Sequence, residues 1–294
     1  ISYIPDSKDL MLRDDGGCML ANGDIFCWGN NFNKKAGIET SGQLNPNFSP
    51  DFINTPVMLK VQIDDNTKIS GVSRRDKKWY NNPYRIKFEK MAYNSTNVCG
   101  VSPIFKYFQD GDKKFGGDVY CNGYLHSDYY EDTITGGQTT SILKRNKFFA
   151  SDKTDKINNN SEIYIKDIAM ADGVTAVLSD EGKIYTFGSN DKGALGINNT
   201  NEGIYQISNL LLDKEINPAD ILFKKLYVLR DIKCFGALDS NNNFWIWGER
   251  PENTMLYKPT ILSHTKTFDE NAIFVNSKEF VLKGLDRVFY RTYA

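Results

Sequence analysis

The segment at residues 18–38, "CMLANGDIFCWGNNFNKKAGI", recurs later in the chain, and this repetition limits the possible folds more than any other feature. Residues 175–197, "TAVLSDEGKIYTFGSNDKGALGI", match it with a two-residue difference in the turn. Each copy carries an aromatic-Gly step, with Asn two positions after that Gly and a second Gly eight positions after it. Asn22-Gly23 in the first copy predicts a hairpin, because a type I′ turn needs positive φ at both central residues. A repeated hairpin predicts stacked β-sheets, since one unit cannot bury its apolar face alone.

Three further copies of this hairpin occur along the chain. Residues 236–248, "GALDSNNNFWIWG", form the third copy, and "VCGVSP…GGDVYCNG" forms a fourth with an expanded turn. A fifth, "FVLKGLDRVFYR" at 280–291, stops where the aromatic-Gly step would fall. The predicted repeat cores lie near 10–38, 88–123, 165–197, 223–248 and 272–294, with insertions near 39–87 and 124–162.

The spacing and patterning of the copies favour a β-propeller. The four aromatic-Gly glycines lie 94, 65 and 60 residues apart, whereas a compact propeller blade takes roughly 40 to 50 residues, so the units carry long inserted loops. Both faces of the strands are partly apolar, with Tyr185 and Phe187 on one side and Ile184 on the other. Sheets that stack face to face around an axis bury both sides. We therefore predict an all-β chain that forms a single propeller domain over residues 1–294.

The aromatic-Gly step, the Asn and Gly that follow it, and the upstream "AVLSDEGKIY" resemble the repeat of the regulator of chromosome condensation family. Residues 175–197 match best and 18–38 nearly as well, whereas Asn122 replaces the aromatic in one copy and 280–291 lacks the glycine. The resemblance implies a β-propeller, usually of seven blades. Five copies do not complete that ring, so either blades are missing from this chain or the ring is smaller. Cysteine at both hairpin positions resembles the secreted bacterial branch, whose repeats often read "C-A-L…G…C-W-G".

The positions that the copies of the repeat share also have physical roles of their own. We predict that the rings of Trp28, Phe187 and Trp247 pack in the core and do not form a ligand cage. Gly37 and Gly196 are expected in turns that require positive φ.

The cysteines are placed symmetrically about the turns. Counting outward from Asn22-Gly23 pairs Cys18 with Cys27 at a non-hydrogen-bonded position, where side chains come closest. Cys99 and Cys121 share the flanking pattern, but the connection between their strands is longer, so the register of this pair cannot be counted from a turn. We predict the disulfides Cys18–Cys27 and Cys99–Cys121, with Cys234 unpaired; the alternative is that small apolar cysteines simply suit strands. Two disulfides imply an oxidising compartment, and hence a periplasmic, secreted or cell-surface protein.

Composition excludes some classes of partner. The 294 residues are 40% hydrophobic and 25% charged, which is ordinary for a soluble globular protein. A net charge of -1 lacks the positive charge on which sequence-independent nucleic-acid binding depends, so we expect no nucleic-acid partner. No apolar run approaches the length needed to cross a bilayer. The chain starts at Ile1 without a charged-then-apolar leader, so we expect a processed mature chain or an excerpt from a longer one.

The sequence offers little catalysis. Its two histidines, His126 and His264, stand in unrelated contexts, and the chain contains no Cys-x-x-Cys motif, nucleophile elbow or phosphate-binding glycine loop. "DSNNN" at 239–243 imitates the start of a calcium loop, but Phe244 occupies the required Gly position and Arg250 the position of the bidentate Glu. A connection between two strands is the better interpretation. We therefore expect no catalytic, cofactor-binding or metal-binding residues.

Two insertions mix charge with clustered aromatics, "RRDKKWY" at 74–80 and "LHSDYYED" at 125–132. Tyr and Trp are enriched where proteins bind proteins. The candidate partner-binding residues are therefore Trp79, Tyr80, Tyr129, Tyr130, Arg74 and Arg75. The alternative is that these aromatics fold their insertions onto the rim of the propeller, and that the basic run is a solvated loop.

The leading hypothesis is a non-enzymatic, extracytoplasmic module that binds another protein, as part of a surface or secreted assembly. One alternative is a cytosolic guanine-nucleotide exchange factor or chromatin-associated propeller, as the founding members of the family imply. The other is an enzyme whose residues come from several loops at the central axis.

Overall fold

A computed structural model describes residues 7–38, 52–62, 86–107, 113–126, 137–149, 163–199, 203–206, 221–229, 232–250, 255–261, 272–276 and 279–282. Over these ranges the regular structure is β-strand, apart from one 3-10 turn at Phe32–Lys34. The prediction of an all-β fold is confirmed. The part of the chain that the structure describes has no helix long and apolar enough to cross a bilayer.

The first two sheets are four-stranded antiparallel meanders. Sheet 1 consists of β1 (Ser7–Arg13), β2 (Gly16–Ala21), β3 (Asp24–Asn30) and β4 (Phe52–Met58). Sheet 2 begins with β5 (Lys90–Tyr93) and β6 (Asn97–Val101). A two-stranded hairpin follows, β7 (Ile104–Tyr107) with β8 (Lys113–Gly116), and the sheet then continues with β9 (Val119–His126) and β10 (Gly137–Arg145). The expanded turn of the fourth sequence copy is therefore an inserted hairpin.

The next two sheets repeat the same strand order. Sheet 3 consists of β11 (Ile165–Ala171), β12 (Val174–Ser179), β13 (Ile184–Gly188) and β14 (Gly203–Gln206). Sheet 4 consists of β15 (Phe223–Leu229), β16 (Cys234–Asp239), β17 (Phe244–Glu249) and β18 (Met255–Ile261). A final pair, β19 (Ala272–Asn276) with β20 (Glu279–Leu282), lies in the fifth predicted repeat core, and the rest of that copy lies outside the described residues. Each of the four hairpin copies thus forms the two central strands of one sheet.

The register of the first hairpin is as the sequence predicts. Asn22 and Gly23 have φ of 52° and 78°, as a type I′ turn requires. Outward from this turn Cys18 pairs with Cys27, and their Cα atoms are 4.1 Å apart. In sheet 2 Cys99 pairs directly with Cys121, again with a Cα separation of 4.1 Å. Both cysteine pairs form disulfides in the structure, and Cys234 is free and buried.

The glycine of the aromatic-Gly step meets the same constraint in all four sheets. In sheet 3 Gly188 has φ of 112°, and a Cβ atom there would lie 2.2 Å from the carbonyl oxygen of Gly173, in the turn between β11 and β12. The equivalent glycines of the other sheets also have positive φ and the same close approach to backbone; they are Gly29, Gly123 and Gly248. Only glycine satisfies both requirements. Gly37 and Gly196 have φ of 88° and 69°, which confirms their predicted turn positions.

Each sheet has two distinct faces, which we name by the residues of the central hairpin. Face A carries the aromatic of the aromatic-Gly step, and face B carries the cysteine positions. In the first compact unit, Ile1–Lys166, face B of sheet 1 packs against face A of sheet 2. The buried cluster between them includes Leu20, Ile25, Met91 and Tyr93. Gly100 on face A of sheet 2 lies against Ile25 of sheet 1, since a Cβ atom there would be 2.7 Å from the Cδ1 of Ile25.

The second compact unit, Asp167–Ala294, is packed by the same rule. Face B of sheet 3 contributes Ala176 and Leu178, and face A of sheet 4 contributes Phe235 and Trp247, to one buried cluster. The rings of Phe235 and Trp247 stack with centroids 5.7 Å apart. Trp247 and Phe187 are buried, as predicted, whereas Trp28 on face A of sheet 1 is only half-buried. That the two units form one domain over 1–294 stays a prediction.

Candidate interaction surfaces

The candidate partner-binding residues lie outside the described residues. Trp79, Tyr80, Arg74 and Arg75 fall in 63–85, and Tyr129 and Tyr130 fall in 127–136. Their role in binding therefore stays a prediction. The structure does describe the residues that flank both segments, and these show from which ends of the sheets the two insertions leave.

The residues that flank segment 63–85 lie near the end of sheet 1 that carries the Asn22-Gly23 turn, which we call the turn end. On the C-terminal side of the segment, the backbone N–H of Phe88 donates a hydrogen bond to the carbonyl oxygen of Gly23 at 2.8 Å. Lys87 forms an ion pair with Asp24 at 2.6 Å. On its N-terminal side Val61 pairs in parallel with Leu143 of β10. Because β10 runs toward the turn end, the chain also runs toward the turn end at Val61.

The segment 127–136 connects β9 to β10 at the opposite end, which we call the glycine end because Gly123 lies there. Leu125 pairs with Gln138 and His126 with Gly137, so the connection follows directly from the last ladder pair. The turn ends of sheets 1 and 2 point the same way, because Phe88 contacts the Gly23 turn just before β5 begins at the turn end of sheet 2. The described residues that flank the two insertions therefore lie at opposite ends of the sheets.

The two insertions also differ in charge. The segment 63–85 carries six basic residues (Lys68, Arg74, Arg75, Lys77, Lys78 and Arg85) against three acidic ones (Asp64, Asp65 and Asp76). The segment 127–136 carries three acidic residues (Asp128, Glu131 and Asp132) and no basic residue. Whether the two clusters bind one partner or two stays a prediction.

A buried cation, which sequence reasoning missed, joins sheets 1 and 2 at the glycine end. Lys35 is 1% exposed. Its Nζ donates to the Asp15 carboxylate at 2.7 Å and to the carbonyl of Ser95 at 2.9 Å. It also lies 5.1 Å from the centroid of the Tyr93 ring, and the Tyr93 hydroxyl donates to Asp15 at 3.2 Å. The sequence carried one sign of this buried lysine. When the two best copies are aligned, Lys35 occupies the position of the small apolar residue Ala194.

Electrostatics hold the Asp15 side of this cluster ionised. Burial raises the pKa of the Asp15 carboxyl, but the hydrogen bond and positive charge of Lys35 outweigh it, with help from Tyr93 and Arg13, so the pKa lies below its ordinary value. Because Lys35 is enclosed and its charge is compensated, it serves to hold the two sheets together and is not presented to a ligand.

The second unit has a more exposed version of this contact. Lys233, in the turn before β16, donates to Asp191 in the loop that follows β13, at 2.6 Å. Burial raises the pKa of Asp191, but hydrogen bonds from Lys233 and Ser189 outweigh it and the pKa is lowered. The Asp191 side chain is 54% exposed, so solvent screens this pair far more than the Lys35 pair.

The Asn of the repeat organises the loop that follows the central hairpin. Asn31 Oδ1 accepts from the N–H of Ala36 at 3.1 Å, and its Nδ2 donates to the carbonyl of Ile38 at 3.0 Å. Asn190 does the same, accepting from Leu195 at 3.0 Å and donating to Asn199 at 2.7 Å. Both amides are buried, so this position of the motif is structural.

Other polar groups of the core are also engaged within the protein. The Asp239 carboxylate accepts hydrogen bonds from the backbone N–H groups of Asn241 and Asn243, from the Asn243 side chain and from Trp245 Nε1, at 2.8 to 2.9 Å. It shapes the β16–β17 turn, which confirms that "DSNNN" is a strand connection. Arg145 pairs with Asp118 at 2.8 Å. Over the described residues, no group of three His, Cys, Asp or Glu side chains is placed to hold a metal ion.

The solved structures that are similar in fold include RCC1-repeat β-propeller proteins. The chain is similar to human WBSCR16 with a TM-score of 0.59 and 15% identity, over 92% of this chain and 56% of that chain. It is also similar to Prp20p from Saccharomyces cerevisiae, studied for its binding to Gsp1p and histones (TM-score 0.45, 17% identity, 92% of this chain and 66% of that one). A third is yeast RCC1 (Prp20) bound to Kap60 (TM-score 0.46, 17% identity, 92% and 64%). No protein-family model and no curated protein matches the sequence.

The likeness to WBSCR16 shows the fold alone. The chain has an RCC1-like fold, which confirms the resemblance seen in its repeats at that level. It spans between about half and two thirds of the length of these solved chains, at 56% to 66%.

Proposed function

We propose that the protein is a non-enzymatic interaction module that presents its inserted loops to other proteins. The observation that carries this proposal is that the residues flanking two aromatic-rich insertions lie at opposite ends of the same pair of packed sheets. The buried Lys35 cluster and the Phe88–Gly23 hydrogen bond hold these ends together. Aromatic side chains on anchored loops bury a large area at low entropic cost.

The opposite charges of the loops extend the proposal to the kind of partner each one binds. The basic loop with Trp79 and Tyr80 suits an acidic protein surface, and the acidic loop with Tyr129 and Tyr130 suits a basic one. Complementary charge raises the association rate and selects the partner, while the aromatics supply most of the binding energy. We accordingly propose two separate contact regions where the sequence alone predicted one.

We propose that this module works outside the cytoplasm, as the secreted bacterial branch of the RCC1-type propellers does. The support is the pair of cross-strand disulfides Cys18–Cys27 and Cys99–Cys121 in two equivalent hairpins. Disulfides persist in oxidising compartments and are rare in the cytosol. A cytosolic exchange factor or chromatin-bound propeller would leave these cysteines reduced.

The test uses the full-length protein in its own host. Photo-reactive phenylalanine analogues at positions 80 and 130 would capture the partner of each loop, and the Kd of each captured protein would then be measured with purified components. Replacing Trp79 and Tyr80 by Ala should weaken the first complex by about 2 kcal/mol or more and leave the second unchanged. Replacing Tyr129 and Tyr130 should do the reverse. A lower melting temperature with unchanged affinity for both captured proteins would return these aromatics to packing on the propeller rim.

A further inference from the structure

In the part of the chain that the structure describes, the inserted hairpin β7–β8 forms a two-stranded sheet of its own. It leaves sheet 2 at the turn end, where Val101 of β6 pairs with Val119 of β9. At its base the N–H of Ser102 donates to the carbonyl of Asp118 at 3.0 Å, and the N–H of Asp118 donates to Ser102 Oγ at 3.0 Å. A sheet of only two strands is marginally stable in water, so this hairpin depends on further contacts.

The β8 side of the hairpin is in contact with the segment that leads into β11. The Tyr164 hydroxyl donates to the carbonyl of Lys114 at 2.9 Å, and Lys114 Nζ lies 5.8 Å from the centroid of the Tyr164 ring. The N–H of Ile165 donates at 2.9 Å to the carbonyl of Gly117, just past the end of β8. Tyr164 is buried, so these contacts hold β8 in place.

Strand β7 is the outer strand of the hairpin. Among the strands that the structure describes, β7 pairs with β8 alone. An edge strand presents a row of backbone N–H and C=O groups to which another extended chain can add. A third strand on β7 would supply the pairing that a two-stranded sheet lacks, on a hairpin whose other strand is already held.

The residue types of the two strands limit which chain can add. β7 and β8 contain three lysines, Lys106, Lys113 and Lys114, and no acidic residue. The register places Lys106 directly opposite Lys114. Like charges at directly opposite positions destabilise a strand pair, and lysine on an edge strand opposes indiscriminate pairing. Acidic residues on an added strand compensate both effects, because they neutralise the charge of the lysines.

We propose that the outer edge of β7 binds an extended segment of another protein, with acidic residues at alternate positions, as a third strand of the hairpin. Main-chain hydrogen bonds to β7 supply the affinity, and the lysines select an acidic segment. Acidic residues at alternate positions lie on one face of the added strand, as the two-residue period of a strand requires. The β7 edge is separate from segments 63–85 and 127–136, so the inference goes beyond the proposed function and depends on neither loop.

The test measures the binding of a fluorescein-labelled peptide of alternating glutamate and valine residues to the full chain, by fluorescence anisotropy. The chain should bind this peptide. The same peptide with every backbone amide methylated keeps its charge but cannot donate hydrogen bonds to a strand edge, so it should bind at least about tenfold more weakly. Hydrogen exchange at residues 104–107 should slow when the unmethylated peptide is added.

Lys106→Glu reverses one lysine without weakening the hairpin, because it places a carboxylate opposite Lys114. This variant should bind the peptide about tenfold more weakly than the wild type. Its melting temperature should equal or exceed that of the wild type, so lost binding will not reflect unfolding. Lys60→Glu, at an exposed lysine of the same compact unit, is the matched control for net charge and should leave the affinity unchanged.

Several results would overturn the proposal. Two are equal affinities of the wild type and Lys106→Glu, and equal binding of the methylated and unmethylated peptides. A third is exchange that slows in residues 63–85 and not in β7, which would assign the peptide to the basic loop. A fourth is a dimer, detected by light scattering, that dissociates when the peptide is added, because a second copy of the chain would then occupy the edge. Loss of capture at positions 80 and 130 with peptide binding retained would refute only the loop-binding function.

Discussion

The carbonyl oxygen of Lys35 accepts a hydrogen bond from Asn122 Nδ2 at 3.0 Å, and the same bond recurs between Ala194 and Trp247 Nε1 at 2.9 Å. Asn122 and Trp247 occupy the same position of the repeat, before the glycine of the aromatic-Gly step. Each donor reaches back to the loop of the preceding sheet. Although Asn122 replaces the aromatic residue of the repeat, it keeps the hydrogen bond between successive repeats.

Removing either donor should therefore weaken the junction it serves. Asn122→Ala and Trp247→Phe each leave a buried carbonyl without this donor and should lower the free energy of unfolding by about 1 to 3 kcal/mol. Chemical denaturation of both variants measures the effect. Tyr257→Phe, on the 38% exposed Tyr257, is a control that should change little. An unchanged unfolding free energy in both donor variants would show that the bond does not stabilise the junction.

The Lys35 ion pair should be asymmetric in its energetics. Asp15→Asn leaves the enclosed Lys35 charge without its counter-ion and should cost about 3 kcal/mol, as breaking a buried pair does. Lys35→Met should cost less, because Asp15 is 32% exposed and its carboxylate can be hydrated. Asp191→Asn breaks the corresponding exposed pair and should cost less than about 1 kcal/mol.

The effect of Asp15 should also depend on pH. Its folded-state pKa is lowered, so its contribution is present above the unfolded-state pKa and is lost as the pH falls through the folded-state value. The gap in unfolding free energy between wild type and Asp15→Asn should therefore shrink below about pH 4. A gap that is constant from neutral to acidic pH would exclude the ion pair as its cause.

The aromatic-Gly glycine should tolerate no side chain. Gly188→Ala adds a Cβ atom 2.2 Å from a backbone carbonyl oxygen at φ of 112°, so the strand must shift. Gly173→Ala is the matched control in the same sheet, because it has φ of 75° but its nearest contact is 3.7 Å away. The control should lower the free energy of unfolding by about 1 kcal/mol, the cost of placing alanine at positive φ. Gly188→Ala should lower it clearly more, because the added Cβ atom also collides with the backbone. Thermal unfolding of the two variants decides this, and equal losses would show that the close approach is relieved at no cost.

The two disulfides should differ in the stability that they supply. Cys18→Ala with Cys27→Thr gives sheet 1 the residues that sheet 3 has at these positions, Ala176 and Thr186. Cys99→Gly with Cys121→Ile likewise copies Gly236 and Ile246 of sheet 4. The first disulfide spans 9 residues and the second 22, so the chain-entropy model gives the first about 2 to 3 kcal/mol and the second somewhat more.

The hairpin register already holds Cys18 near Cys27, so we expect the first pair of substitutions to cost less than this estimate. Peptide mapping without reduction, on protein from its native compartment, should show both disulfides. Five free thiols there would contradict both the disulfide pairing and the extracytoplasmic location.

Cys234 should be inert in the folded protein. Burial raises the pKa of its thiol to about 12, and the thiolate is the reactive form. Alkylation at neutral pH should modify it only after unfolding. Because its folded-state pKa is raised, its contribution to stability is full below the unfolded-state pKa and is lost as the pH rises from about 9 toward 12. Wild type should lose more stability than Cys234→Ala over this range, and rapid alkylation of the native protein would contradict the burial of the thiol.

Local sequence was sufficient to predict the repeated hairpins, the register of Cys18 with Cys27 and the positive φ of the turn glycines. These features depend on turn chemistry and on the two-residue period of a strand, which act over a few neighbouring residues. The same reasoning identified the β16–β17 turn, because its side chains hydrogen-bond within the segment.

Contacts between residues far apart in the chain were decided by tertiary structure. Lys35 contacts Ser95 and Tyr93, which follow it in sequence by 60 and 58 positions. Only the packing of sheet 1 on sheet 2 buries this lysine of a polar loop and makes it a link between the two sheets. Both insertions are rich in aromatic residues, but only the strand order shows that the residues flanking them lie at opposite ends of the sheets. Likewise, Leu10 and Trp28 lie on one face of sheet 1 only because the strands align them. A strand's own pattern does not reveal which of its two apolar faces another sheet will cover.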